Sequence, residues 1–340
     1  MGSRKYTIGK VALGALLLSC ADPKDTERSS DSESDNAETS TSSSEDAGTG
    51  GACLASISGT ILKDGEAGMV GVMVPCIGTT CFSPELTDSD GTFRWEYPLS
   101  EGEPCQPYDF AEEALHIEVA AAEDPRDYAA YAFILHPTRA DISDRGADDF
   151  DLDVGTLSLY TLSDEAALFD PSDGVSVDLD GLAFDLPKDG IVKRVKDTDE
   201  PIDHLQEIRV FEAPLEDWQP PFAAASLDAL YFISPRWAKL AGQGAVLSID
   251  PPEGWEDGDQ GVLHLLGGYT SSFGDVAVRD RSAYIYRDDG GQCVNTDEPE
   301  SLERIADGDL AACGAVSMIQ GKLVTAPIPR FTWVGISKAD

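Results

Sequence analysis

The sequence predicts an all-β protein: two β-sandwich domains that follow a signal peptide and a disordered acidic stalk. From residue 53 onward, short runs of β-branched and apolar residues alternate with Gly, Asp and Pro, which is the spacing of strands and turns. Helical periodicity is confined to Glu300–Ala306, with Pro299 placed for its first turn. The apolar share, 41% of 340 residues, is enough to fill one or two cores.

At the N-terminus, Arg4, Lys5 and Lys10 precede the apolar run Val11–Leu18, interrupted by Gly14. Eight residues fall short of the about 20 that a bilayer requires. A basic region, a short apolar region and a small residue before the processing point predict a secretory signal over residues 1–19. The end of that run, Leu17-Leu18-Ser19-Cys20, resembles a bacterial lipobox. The resemblance implies that Cys20 is acylated and becomes the first mature residue, with the membrane as partner through that anchor. Ala21 in the next position resembles lipoproteins sorted to the outer membrane, although Asp22 follows one place later. More than one acyl chain makes such an anchor stable.

Residues 20–51 are the expected linker. Beyond Cys20 this segment is mostly Ser, Thr, Asp, Glu and Gly, with no aromatic residue and no Val, Ile or Leu. Such a stretch buries too little apolar surface to offset the entropy of ordering. As a flexible chain it would reach roughly 30 Å.

The whole chain carries 24 basic and 63 acidic residues, net −39. Nucleic acid is excluded as a partner, because binding a phosphate backbone needs clustered Lys and Arg, and no basic run follows Lys10. Residues 52–340 still carry 19 bases and 54 acids. A body so acidic suits export into saline surroundings, with calcium binding as the competing explanation.

Six cysteines besides Cys20 remain: Cys53, Cys76, Cys81, Cys105, Cys293 and Cys313. An even count in an exported chain predicts three disulfides. Cys293 pairs with Cys313, since neither has a local rival. The other four leave three connectivities open. Cys76 and Cys81 read as metal ligands lack an intervening His and a second pair of ligands.

Strands are predicted at Leu54–Ile61, Val70–Cys76, Thr92–Tyr97, Leu115–Ala121, Ala129–Leu135 and Val154–Tyr160. Thr87-Asp88-Ser89-Asp90-Gly91 has the chemistry of a hairpin turn. Four motifs in this order, Ile57-Ser58-Gly59-Thr60-Ile61, Gly71-Val72-Met73-Val74, Thr87 to Phe93 and Asp153-Val154-Gly155-Thr156-Leu157, resemble the carboxypeptidase regulatory-like domain. That resemblance implies a small transthyretin-like sandwich over residues 52–160, a module common in exported bacterial proteins and without catalytic residues. The four cysteines and the acidic insertion Ala122–Asp149 depart from the family's pattern.

Residues 161–340 form the second expected domain, another antiparallel sandwich. Its strands are predicted at Val175–Asp178, Leu182–Leu186, Glu207–Phe211, Ala229–Ile233, Ala245–Ile249, Val262–Leu266, Ala283–Tyr286, Ala315–Ile319 and Phe331–Ile336. The two Pro pairs at 220–221 and 251–252 punctuate them, since Pro cannot donate within a central ladder. With the lipobox and stalk, the chain resembles lipoproteins of myxobacteria.

Three sets of residues could carry chemistry. His116, His136, His204 and His264 are the only imidazoles, and none lies in a hydrolase or zinc motif. On the strand Leu115–Ala121, His116 and Glu118 share the face opposite Leu115, Ile117 and Val119, so both are expected to meet solvent. Asp149, Asp151 and Asp153 project from one face at period two, and calcium is the ion their oxygens would take. Their spacing of about 7 Å favours instead a charged sheet edge that blocks strand addition. Asp88 to Gly91 and Asp178-Leu179-Asp180-Gly181 read as turns before ion sites. Trp218 and Trp255, each beside acids in a loop, could stack on a sugar ring, against the ordinary alternative that they cap the core. The function these features favour is a non-catalytic, lipid-anchored cell-envelope protein in binding, adhesion or surface structure. Its partners would be polysaccharide or other envelope proteins. The alternatives are a carbohydrate-binding surface protein and an envelope hydrolase with a scattered site.

Overall fold

The computed structural model describes residues 56–67, 71–77, 80–81, 84–96, 115–122, 125–135, 142–144, 150–195, 198–218, 220–222, 227–236, 238–266, 268–269, 283–284, 286–288, 290, 292–295 and 310–339. The signal, Cys20, the stalk, Cys53, Cys105, His136, Asp149 and the whole of the expected helix Glu300–Ala306 lie outside them. The fold is all-β and sandwich-like. Among the described residues the only helix is a single 3-10 turn, Pro125–Asp127.

The first half builds two sheets. In one, the order is Thr92–Glu96, Ser56–Lys63, Phe150–Leu159, Ile142–Asp144. Ser56–Lys63 runs parallel to Phe150–Leu159, with Ile57 beside Leu152 and Ile61 beside Leu157. In the other, the order is Thr80–Cys81, Gly71–Ile77, Leu115–Ala121, Tyr131–Leu135, all antiparallel. Period two puts Ile57, Ile61, Met73, Leu115, Ile117 and Val119 into one core between them, each essentially inaccessible to solvent. The predicted turn is present: Gly91 donates to the Asp88 carbonyl at 2.9 Å and sits at φ +86°. A side chain there would strike the Ile61 carbonyl oxygen at 2.2 Å, so only Gly fits.

The second half is dominated by one ten-stranded sheet. Its order is Ala167–Phe169, Gln206–Glu212, Ala229–Ser234, Trp333–Lys338, Gln260–Leu266, Leu310–Ile319, Lys322–Thr325, Ser248–Ile249, Leu182–Leu186, Val175–Leu179. Its two end strands, Ala167–Phe169 and Val175–Leu179, are consecutive in the chain and linked by a bridge between Asp170 and Gly174. The sheet therefore curls until it nearly closes on itself. Phe169, Val177, Phe184, Leu263, Val316 and Ile336 belong to the core it wraps. A hairpin, Ile191–Val195 with Thr198–Pro201, adds Ile191 to the same core. The turn Asp180-Gly181 has both residues at positive φ, 46° and 74°, which is the two-residue hairpin geometry that matches strand twist.

The sheets described so far change near residue 160, and one buried cluster spans that point. Residues 49–340 form one compact unit. The core of the first half also contains Ala213, Trp218, Phe222, Leu230, Phe232, Leu266 and Trp333. The reason lies in the strand Ala229–Ser234, whose six residues are all buried. Leu230 and Phe232 face the first-half core, while Ala229, Tyr231 and Ile233 face the curled sheet. One strand thus serves as a wall between two cores.

Candidate functional site

Trp218 is 7% exposed and follows a turn in which its N–H donates to the Pro214 carbonyl at 2.9 Å. Its ring lies 5.0 Å from Tyr160, 5.6 Å from Trp333 and 5.8 Å from Tyr131, all between 52° and 57° from parallel. These tilted pairs fill the seam between the two halves. Trp255 is 8% exposed. Its indole N–H donates to Asp228 at 3.2 Å, and the Lys338 ammonium stands 5.7 Å from its ring centre. Gly261 makes room for that ring: a Cβ there would lie 2.4 Å from it. Neither Trp presents a free ring face on which a sugar could stack. Both loops turn inward because each indole has an apolar seat and its neighbouring acids do not.

Of the aspartate row, the described members Asp151 and Asp153 are each engaged separately. Phe150–Leu159 lies inside its sheet between two partners, so the charged-edge expectation does not hold. Asp151 is 5% exposed and accepts hydrogen bonds from the buried Ser56 hydroxyl and from Arg94, the latter at 3.1 Å. Asp153 is exposed, and its carboxylate accepts the Gly155 N–H at 2.8 Å. A guanidinium already occupies the place beside Asp151 that a cation would take. Among the described residues, no group of three or more His, Cys, Asp or Glu is placed to hold a metal ion. Asp90 is consumed in its turn, accepting from the Thr92 hydroxyl at 2.8 Å and the Thr92 N–H at 3.1 Å. The hydroxyl bond, then the backbone bond, hold its carboxyl below the usual range.

The imidazoles do not form a described site either. His204 is exposed, 3.4 Å from Asp203 in the turn before Gln206–Glu212. His264 is 6% exposed within its sheet, with Nε2 2.9 Å from the Ser337 hydroxyl. The side chain of His116 is outside the described residues.

Glu118 departs most from expectation. It is 1% exposed and accepts a hydrogen bond from Arg236, itself 5% exposed, just beyond the strand Ala229–Ser234. Its other oxygen, Oε2, is buried without a hydrogen-bond partner among the described residues. Nothing local in the sequence marks Glu118 as buried, because its strand alternates like any half-exposed strand. A second polar contact, between neighbouring strands of the curled sheet, joins the Tyr231 hydroxyl to the exposed Glu212 at 3.3 Å. Burial, then the nearby Glu212 charge, push the Tyr231 phenol well above its ordinary value. Cys293 and Cys313 are joined by a disulfide, with Cα atoms 4.6 Å apart.

No protein-family model matches the chain, and no curated protein matches it.

Proposed function

We propose that this is a non-catalytic protein of the bacterial cell envelope, tethered through lipid on Cys20 and acting in binding, adhesion or surface structure. The observation that carries the reading is the joint fate of the candidate chemistry in the body. The two loop tryptophans, Asp151 and Glu118 all serve packing or internal pairing across filled cores. A body built in this way suits presentation of an outer surface more than enclosure of a substrate. The lipobox-like Leu17-Leu18-Ser19-Cys20 and the acidic segment after it support a tether, with the outer membrane as its address. The disulfide Cys293–Cys313 supports an oxidising compartment. The resemblance of residues 52–160 to a carboxypeptidase regulatory-like module supports an accessory role.

Metabolic labelling with an alkyne fatty acid tests the tether. In a Gram-negative host, the parent chain should take up label and fractionate with outer membrane. The variant Cys20→Ser should take up none and leave the membrane fraction. Equal labelling of the two, or an unlabelled parent in the soluble fraction, would overturn the reading.

A further inference from the structure

The backbone register brings two of the four unassigned cysteines face to face. Thr80–Cys81 pairs antiparallel with Gly71–Ile77, placing Ile77 opposite Thr80 and Cys76 directly opposite Cys81. Only residues 78 and 79 separate the two arms. In a two-residue hairpin, the residues flanking the turn form the hydrogen-bonded pair, so the next pair outward is the non-hydrogen-bonded kind. Such pairs have Cα atoms about 4.5 Å apart, inside the range that a disulfide spans. The protein's own bridge, Cys293–Cys313, joins Cα atoms at 4.6 Å.

We infer that Cys76 and Cys81 are joined to each other, which leaves Cys53 and Cys105 for the third bridge. Two thiols lose two protons and two electrons to form the bond. The acceptor is a disulfide-bearing oxidant of the exported compartment, itself reduced to a dithiol. The bridge braces an outer strand of its sheet, since Thr80–Cys81 has a partner on one side only. A competing use of the same row exists. His116 is opposite Cys76 on the far strand, so Cys81, Cys76 and His116 lie abreast across three strands. Two thiolates and an imidazole in one row could take zinc in a reducing compartment. In an oxidising one, the facing thiols are consumed first.

The inference rests on the export proposed above, and one measurement separates the two. The exported full chain is alkylated without reduction, digested with trypsin and read by mass spectrometry. Cys53, the pair Cys76 with Cys81, and Cys105 fall in three different tryptic peptides, residues 29–63, 64–94 and 95–126. The expected result is peptide 64–94 unlinked, unalkylated and two hydrogen masses light, with 29–63 joined to 95–126. Peptide 64–94 linked to either neighbour overturns this connectivity and leaves export standing. So does alkylated Cys76 and Cys81 beside an intact Cys293–Cys313 bridge, with or without bound zinc. Alkylation of all six cysteines overturns both.

Discussion

Arg236 donates a hydrogen bond to the Glu118 carboxylate across 118 residues of chain, with 6% and 2% of the two side chains exposed. The pair ties the strand Leu115–Ala121 to the end of Ala229–Ser234 and so joins the two halves by charge as well as by apolar contact. A buried pair of this kind is not a source of stability in itself, because two charges have been taken out of water. Breaking it is another matter, since one charge is then left uncompensated.

Arg236→Met should therefore cost about 3–5 kcal/mol, and Glu118→Leu a similar amount. The double replacement should recover most of that loss. Chemical denaturation of the three variants checks this; strictly additive losses would show that the two side chains are not coupled.

The shared core predicts a single unfolding transition for residues 52–340. Trp333 is the pivot: it is inaccessible to solvent and its indole N–H donates to the Ala130 carbonyl at 3.0 Å, reaching from the end of the chain to the first half. Phe232, Phe222 and Trp218 surround it at 5.1, 5.3 and 5.6 Å. Trp333→Ala should cost about 3–5 kcal/mol and lower one calorimetric peak as a whole. Two separated peaks, with only the later half affected, would mean that the halves fold independently.

Trp255 offers a test of local fit. Gly261→Ala would put a methyl 2.4 Å from the Trp255 ring and 2.5 Å from the Ser337 carbonyl oxygen. The expected penalty is about 1–3 kcal/mol. The indole should also be displaced from Asp228, giving Trp fluorescence that is redder and more readily quenched by acrylamide. Unchanged quenching would indicate that the loop has more room than its geometry shows.

Asp259 accepts from Lys338 at 2.6 Å and from the Glu256 N–H at 2.7 Å. The Lys338 hydrogen bond, then the backbone bond, hold its carboxyl below the ordinary range. A lowered folded value means that the contribution is present above the unfolded aspartate value and is lost as pH falls through the lowered one. Asp259→Asn should accordingly melt below the parent at neutral pH, and the gap should close in acid. A gap that is constant with pH would assign the effect to something other than ionisation.

Much of the strand pattern could be read from residue type. Leu115–Ala121 and Leu182–Leu186 appear with the expected bounds, because clean alternation and flanking turn residues leave little freedom. The Cys293–Cys313 pairing was equally accessible, since neither had a local competitor. The hairpin Ile191–Val195 with Thr198–Pro201 is not legible in this way, as its Lys, Arg, Asp and Glu content masks the buried Ile191 and Val192. Candidate sites were harder still. Alternation says that Glu118 and Leu115 point opposite ways; it does not say whether water or Arg236 waits on the second side. In the same way, Trp218 and Trp255 sit among acids in sequence and among rings, Gly261 and Lys338 in space.

Domains with a core of their own can travel between proteins as self-contained cassettes. Here the strand Ala229–Ser234 gives alternate side chains to opposite cores, and that removes the freedom to travel. Excising the first half would bare Leu230, Phe232 and Trp333 to water; grafting a different sandwich onto the second would need a matching socket for the same three. The two halves are therefore heritable only as a pair. Any recombination that moves one half should have to carry the other with it.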